Sequence, residues 1–137
     1  MNLVDALLAA DEDKITAKQT EDYEVKRLSK LLGVPFILHL QEIKFRRIKE
    51  LQDMATKRKK GRAPEVDYME LAASCLAEGI TNEEFNDPRV LKRFKATTKE
   101  DLFTKILTSG EVTKIYEKIG DLSGMDKSEE EFEEVKN

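Results

Sequence analysis

The sequence predicts an α+β fold, with an N-terminal β-hairpin packed on a bundle of about five helices. Three observations predict it. The stretch PFILHLQEI, residues 35–43, is rich in strand formers and sets Phe36, Leu38 and Leu40 on one face. From Ile43 onward the apolar period lengthens from two to between three and four. Three helix-start signals then follow one another between residues 87 and 111.

In chain order, residues 2–10 are expected to form a short amphipathic helix through Leu3, Val4, Leu7 and Leu8. The polar run DEDKITAKQTED reads as a linker, so residues 1–20 are set apart from a single domain over 21–124. Tyr23 and Val25 alternate with charged neighbours, and Gly33 and Pro35 punctuate the chain before the next strand. Pro35 holds Val34 extended. Two antiparallel strands are expected at 22–28 and 35–41. A lone hairpin is marginal in water, so it must pack on helices or on another copy.

A first helix carries Phe45, Ile48, Leu51 and Met54 or Ala55 as a core-facing stripe and stops at or before Gly61. A second carries Val66, Met69, Ala73, Leu76 and Ile80, with Gly79 as a C-cap position. Asp87 and Pro88 are an N-cap and first helical residue, ahead of Val90, Leu91 and Phe94. Thr97 with Glu100, and Thr108 with Glu111, fit capping boxes that open two more helices, the second stopped by Gly124. Residues 125–137 form an acidic tail expected to be loosely held, where Ser128 and Glu131 could cap a last turn.

The bulk numbers fit one domain with a modest core. The chain has 137 residues, of which 38% are charged against an average of about 25%. Its net charge is −4, which counts against a dedicated nucleic-acid binder. One cysteine, Cys75, allows no internal disulfide and sits in an apolar run, as a small buried hydrophobe would. The start MNLVDALLAADED has no basic region before its apolar residues, and no apolar run approaches the length of a membrane span. A non-exported protein without a membrane partner is expected.

No residue constellation points to catalysis. His39 is the single histidine and lies opposite Phe36, Leu38 and Leu40; without a second histidine the ligand set for a metal is poor, and a structural role is expected. The acids fall in solvated runs, at 11–13, 83–84 and 129–131, not in the buried pairs that acid–base work needs. KKGR lacks the flanking glycine and the Ser or Thr of a phosphate loop. No enzyme, no cofactor and no metal are expected.

The strongest local feature is basic. Lys57, Arg58, Lys59, Lys60 and Arg62 crowd six residues, and Lys44, Arg46, Arg47 and Lys49 precede them. Clustered cations release counterions from nucleic acid. Yet residues 55–67 hold no aromatic side chain for stacking, and a helix-turn-helix over 43–60 and 65–79 would present MELAASCLAEG, whose acids repel phosphate. The run is read instead as a helix end and exposed loop, where the macrodipole favours each well-placed cation by ~0.3–1 kcal/mol. It is also a candidate seam for an acidic partner, including residues 126–134 or 11–24 of another copy in a homo-oligomer.

A wider pattern emerges from NDPRVLKRFKATTKEDLFTKILTSGEVTKIYEKIGDLSGMD. Asp87-Pro88 with Leu91, a Thr-x-Glu-x-Leu helix at 98–102, the Gly110-Glu111 turn, and Leu-Ser-Gly at 122–124 with Asp126 recur in fixed order. Upstream, YEVKRLSKLLGVPFILHLQEI supplies a charged strand and a second strand leading into a helix. In this order and spacing, residues 21–126 resemble the XkdN-like tail assembly chaperones of long-tailed phages and related prophage elements. Residues 1–20 and the basic run at 57–62 lie outside the pattern.

The resemblance implies a non-enzymatic assembly factor in the host bacterial cytoplasm, absent from the mature virion. It would bind the tape-measure protein, keep that protein's apolar helical stretches from aggregating and help recruit tail-tube subunits. It also implies that a longer frameshifted product could arise near the acidic end. Capture would use an apolar groove between the helix bearing Leu102, Phe103 and Ile106 and the helix bearing Val112, Ile115, Tyr116 and Ile119. Most of these seven are expected in the core. Leu122, Met125 and Phe132 at the fringe, with Lys57, Arg58, Lys59, Lys60 and Arg62, are the candidate partner contacts. The alternative function is a small phage regulatory protein that binds nucleic acid through 57–62.

Overall fold

Alternation along residues 37–41 sets the centre of the molecule: Leu38 and Leu40 are wholly buried while Ile37 and His39 face out. The computed structural model describes residues 2–125. Two antiparallel strands, β1 (Thr20–Glu24) and β2 (Ile37–Gln41), pair with Tyr23 opposite Leu38 and Thr20 opposite Gln41. Two short helices precede them, α1 (Leu3–Ala9) and α2 (Glu12–Thr16), neither with a buried residue. The expected α+β architecture holds, with the strand pair packed on helices.

The first strand lies earlier than the alternation of Tyr23 and Val25 predicts. It ends at Glu24, and Lys26–Leu32 is a helix, α3, not strand. The reason is spacing: Val25 and Leu28, three apart, both reach the core, while Lys26, Arg27 and Lys30 point outward. Gly33 closes α3 in the left-handed region at φ 73°, and its N–H donates to Ser29 O at 2.9 Å. The Ser29 hydroxyl donates to Glu24 Oε2 (2.7 Å) and accepts from Phe36 N–H (2.8 Å), joining the two strand ends.

Five helices follow, as expected: α4 (Phe45–Met54), α5 (Tyr68–Gly79), α6 (Pro88–Arg93), α7 (Lys99–Ile106) and α8 (Ser109–Leu122), with a 3₁₀ turn at Glu83–Asn86. Asp87 caps α6 by accepting from Arg89 N–H, with Pro88 in the first turn. Thr108 and Glu111 form the expected capping box at α8, and Gly124 beyond it has φ 78°. The cap of α7 falls one residue later than expected. Thr98 accepts from Asp101 N–H, while Thr97 N–H donates to Asp101 Oδ2.

The basic run is not a helix end. α4 stops at Met54, and Thr56–Lys57 (β3) pairs with Glu65–Val66 (β4), so residues 58–64 cap a two-stranded ribbon. Asp67 N–H donates to Ala55 O at 2.8 Å and closes the ribbon's base. Val66 is therefore strand, and α5 begins after Asp67, whose side chain accepts from Met69 and Glu70 N–H. The buried face of α5 runs through Leu71, Cys75, Leu76 and Gly79, which leaves Met69 outside.

Gly79 is a packing residue, not a left-handed cap. A Cβ there would meet Ile119 Cδ1 at 2.5 Å, so its absence lets α5 and α8 cross closely. The core centres on Leu38, Leu40, Leu76, Ile80, Leu102, Phe103 and Ile115, all under 2% exposed. Phe85 joins Phe36 to Phe103, with ring centroids 5.6 and 5.2 Å apart.

The outer edge of β2 is finished by residues 80–82. Leu40 bridges Ile80, and Thr81 N–H donates to His39 O at 2.9 Å. Asn82, 4% exposed, accepts from His39 N–H (2.7 Å) and donates to Ile37 O (2.9 Å). A single side chain thus satisfies the backbone groups that a third strand would have paired.

Candidate partner-binding grooves

Helix α8 divides the surface. Its N-terminal half, with α5 and α7, walls a groove of about 350 Å³ lined by Leu76, Phe103, Leu107 and Val112, with Tyr68 and Met69 at the lip. Both lip residues are large and open to solvent, Tyr68 75% and Met69 86% exposed. They occupy the first two positions of α5 because Asp67 caps it there, turning both away from the Leu71–Cys75 face.

The C-terminal half of α8, with α4 and α5, walls a second groove of about 180 Å³ through Ile43, Ile48, Leu71, Tyr116 and Ile119. Ile43, Ile48, Gln52, Ser123 and Met125 also line a wider depression of about 640 Å³, together with Phe45 and Lys49. Ser123 ties the two walls: its hydroxyl accepts from Ile43 N–H (3.0 Å) and donates to Ile119 O (2.7 Å). Phe45 is 84% exposed, against its expected core position. The core side of α4 is carried by Leu51 and, beyond its end, Ala55.

The predicted site residues fall in different places. Of the seven groove candidates, Leu102, Phe103, Ile115 and Ile119 are buried, whereas Ile106, Val112 and Tyr116 are half-buried against the core. Leu122 is half-buried and packs on the core; Met125, 48% exposed, lines the second groove. Phe132 and the acidic tail lie outside the described residues. Lys57 pairs with Glu70 at 2.8 Å, which raises the lysine's pKa. Arg58, Lys59, Lys60 and Arg62 are exposed at the ribbon tip, with no ion pair among the described residues.

Charge pairs brace the body around the grooves. Arg27 on α3 reaches across to the α7–α8 corner, donating to Glu111 (Nη2–Oε1 2.9 Å, Nε–Oε2 3.1 Å) and to Ile106 O (2.7 Å). The Arg27 hydrogen bond, with the Thr108 backbone N–H, holds the Glu111 carboxyl below its usual range. Arg47 on α4 bonds both Glu50 and Glu78, locking α4 to α5. His39 Nδ1 lies 2.7 Å from Asp22 Oδ1 on the exposed strand face. Burial, with nearby Glu78, pushes the Cys75 thiol up to about 11, which disfavours the thiolate. Among the described residues, no three His, Cys, Asp or Glu side chains are grouped to hold a metal.

Sequence reasoning missed Tyr68, Met69, Phe45 and Asn82. A signal existed for the first two: Asp67 followed by Glu70 marks a helix start and places residues 68 and 69 in an exposed first turn. None existed for Asn82, whose partners lie 43 and 45 residues away.

Two apolar grooves on a small α+β body, braced by surface charge pairs, define a protein of the compact helix-and-hairpin class. The family described as phage XkdN-like tail assembly chaperone protein matches residues 4–136, and the chain belongs to that family. The match extends beyond the expected 21–126, taking in most of α1 and the acidic end. A crystal structure of the protein YqbN shares the fold at a TM-score of 0.59 and 20% identity, covering 86% of this chain and 99% of that one. No curated protein matches the chain. Among the described residues, no helix is long and apolar enough to cross a membrane.

Proposed function

We propose that this tail assembly chaperone binds apolar helical segments of the tape-measure protein in the α5–α7–α8 groove, without enzymatic activity. The observation that carries the reading is the lip formed by Tyr68 and Met69, 75% and 86% exposed beside a groove floored by Leu76 and Phe103. Family membership supplies the tail-assembly context. An amphipathic helix laid into an apolar groove buries side chains that would otherwise aggregate, and methionine at the lip adapts to varied sequences. On this reading the protein works in the host cytoplasm, brings tail-tube subunits to the bound tape measure and leaves before the virion is complete. The 21–124 body is the working unit.

Amide hydrogen exchange tests the placement. Tape-measure segments should slow exchange at the start of α5 and of α8, and Met69→Glu should remove that protection with the fold intact. Protection confined to the ribbon at 57–66, or none, contradicts the groove. The alternative, nucleic-acid binding through 57–62, has no feature in its favour beyond charge, since Lys57 is already paired with Glu70.

A further inference from the structure

Helix α1 presents a face that the described residues leave uncovered. Leu3, Val4, Leu7 and Leu8 form two i,i+4 pairs, and they are 75%, 64%, 58% and 81% exposed. At seven residues the helix falls short of the roughly 12–15 needed to be even marginally stable alone in water. It is nonetheless capped, since Asn2 Oδ1 accepts from Asp5 N–H at 2.8 Å. Asp5 lies on this helix, and Asp11, Glu12 and Asp13 follow it in the chain.

The α4–α8 groove carries the matching features. Its floor is Ile43, Ile48 and Tyr116, with Phe45 standing at the lip. Lys49 on α4 lines its wider part and Arg46 lies next to Phe45 on the same helix, both exposed and without an ion pair among the described residues, while Glu117 lines the α8 side. Residues 2–18 also leave the body beside this groove's head. Gln19 N–H donates to Glu42 Oε1, and Glu42 N–H donates to Gln19 O, both at 2.8 Å.

We infer that α1 of one copy seats its Leu3–Leu7 and Val4–Leu8 face in the α4–α8 groove of a second copy, with its acids against Arg46 and Lys49. Reciprocal exchange about a two-fold axis makes the contact isologous and closed. The apolar face supplies the burial, and the unpaired charges select this groove over the α5–α7–α8 groove, which stays open. This site is separate from the proposed tape-measure groove, so either can fail without the other.

Light scattering on the purified full chain, together with cross-linking, tests the inference. The wild type should run above its 15.7 kDa monomer mass, whereas Leu8→Glu and Phe45→Glu should each run as folded monomers with unchanged helical circular dichroism. Both positions are more than 80% exposed in the single copy, so neither substitution should disturb folding. Arg46→Glu with Lys49→Glu should weaken self-association by about tenfold or more. A short bismaleimide should join a Leu8→Cys chain to a Phe45→Cys chain, the native Cys75 being buried. A monomeric wild type overturns the inference. So does a Leu8→Cys/Phe45→Cys chain that closes on itself at high dilution, which would place α1 in its own groove, and so does self-affinity indifferent to the α4 charges.

Discussion

Gly79 and Ile119 lie where α5 and α8 cross, and the space a Cβ on Gly79 would occupy is held by three Ile119 atoms at 2.5, 2.9 and 3.1 Å. Ile119 is 2% exposed and β-branched, so it has little freedom to retreat. Gly79→Ala therefore sets a helix-propensity gain of up to ~1 kcal/mol against overpacking of ~1–3 kcal/mol. A net loss of roughly 1 kcal/mol is expected in urea unfolding. Ile119→Val removes the atom at 2.5 Å, so the double variant should lose less than the sum of the two. Strict additivity would show that the crossing is looser than described.

Asn82 should be costly to replace. Asn82→Ala strips partners from His39 N–H and Ile37 O at once. A loss of about 2–4 kcal/mol is expected, because each unsatisfied group costs ~1–3 kcal/mol and solvent reaches this strand edge in part. Faster amide exchange at His39 is the local readout. A neutral substitution would mean that water replaces the side chain at no cost.

The Arg27–Glu111 pair gives a pH signature. The hydrogen bonds donated by Arg27 lower the Glu111 pKa below the ordinary glutamate value of 4.5. The sign follows: the pair's contribution is complete above about 4.5 and is lost as pH falls through the lowered folded value. Glu111→Gln keeps the capping geometry and removes the charge. At pH 7 it should lower the melting temperature only slightly, because Arg27 is 41% exposed. The gap to wild type in thermal melts should narrow towards pH 3. A gap independent of pH would place the effect in the cap instead.

Local signals in the sequence make some of these features legible and not others. Asp87-Pro88 and the Thr108–Glu111 box were readable because a cap is settled by residues three apart. Met69 and Phe45 fit an apolar period yet lie outside, since periodicity marks a face without saying what covers it. β1 ends at Glu24 because Val25 and Leu28, three apart, share a buried helical face that an alternating pattern does not distinguish from strand. Gly79 and Asn82 depend on Ile119 and β2, at least 40 residues away, and nothing local announces them.

The ribbon tip should be dispensable for folding. Replacing Lys57, Arg58, Lys59, Lys60 and Arg62 with Ser breaks one exposed ion pair, Lys57–Glu70, so no resolvable change in the unfolding midpoint is expected. Tape-measure binding should persist. Its loss would make the ribbon the contact and the alternative functional reading worth pursuing.

Cys75 should be silent in the folded protein. Its buried thiol, pushed up to about 11, should alkylate slowly until denaturant opens the α5–α8 contact. Rapid native-state labelling would mean that the α4–α8 groove opens far enough to admit reagent.

Co-expression with a tape-measure protein is the most direct test of chaperone function. With this chain present, the tape measure should remain soluble and co-purify, and Met69→Glu should reduce both. If the tape measure precipitates equally with and without the chain, and nothing co-purifies, tape-measure binding is contradicted.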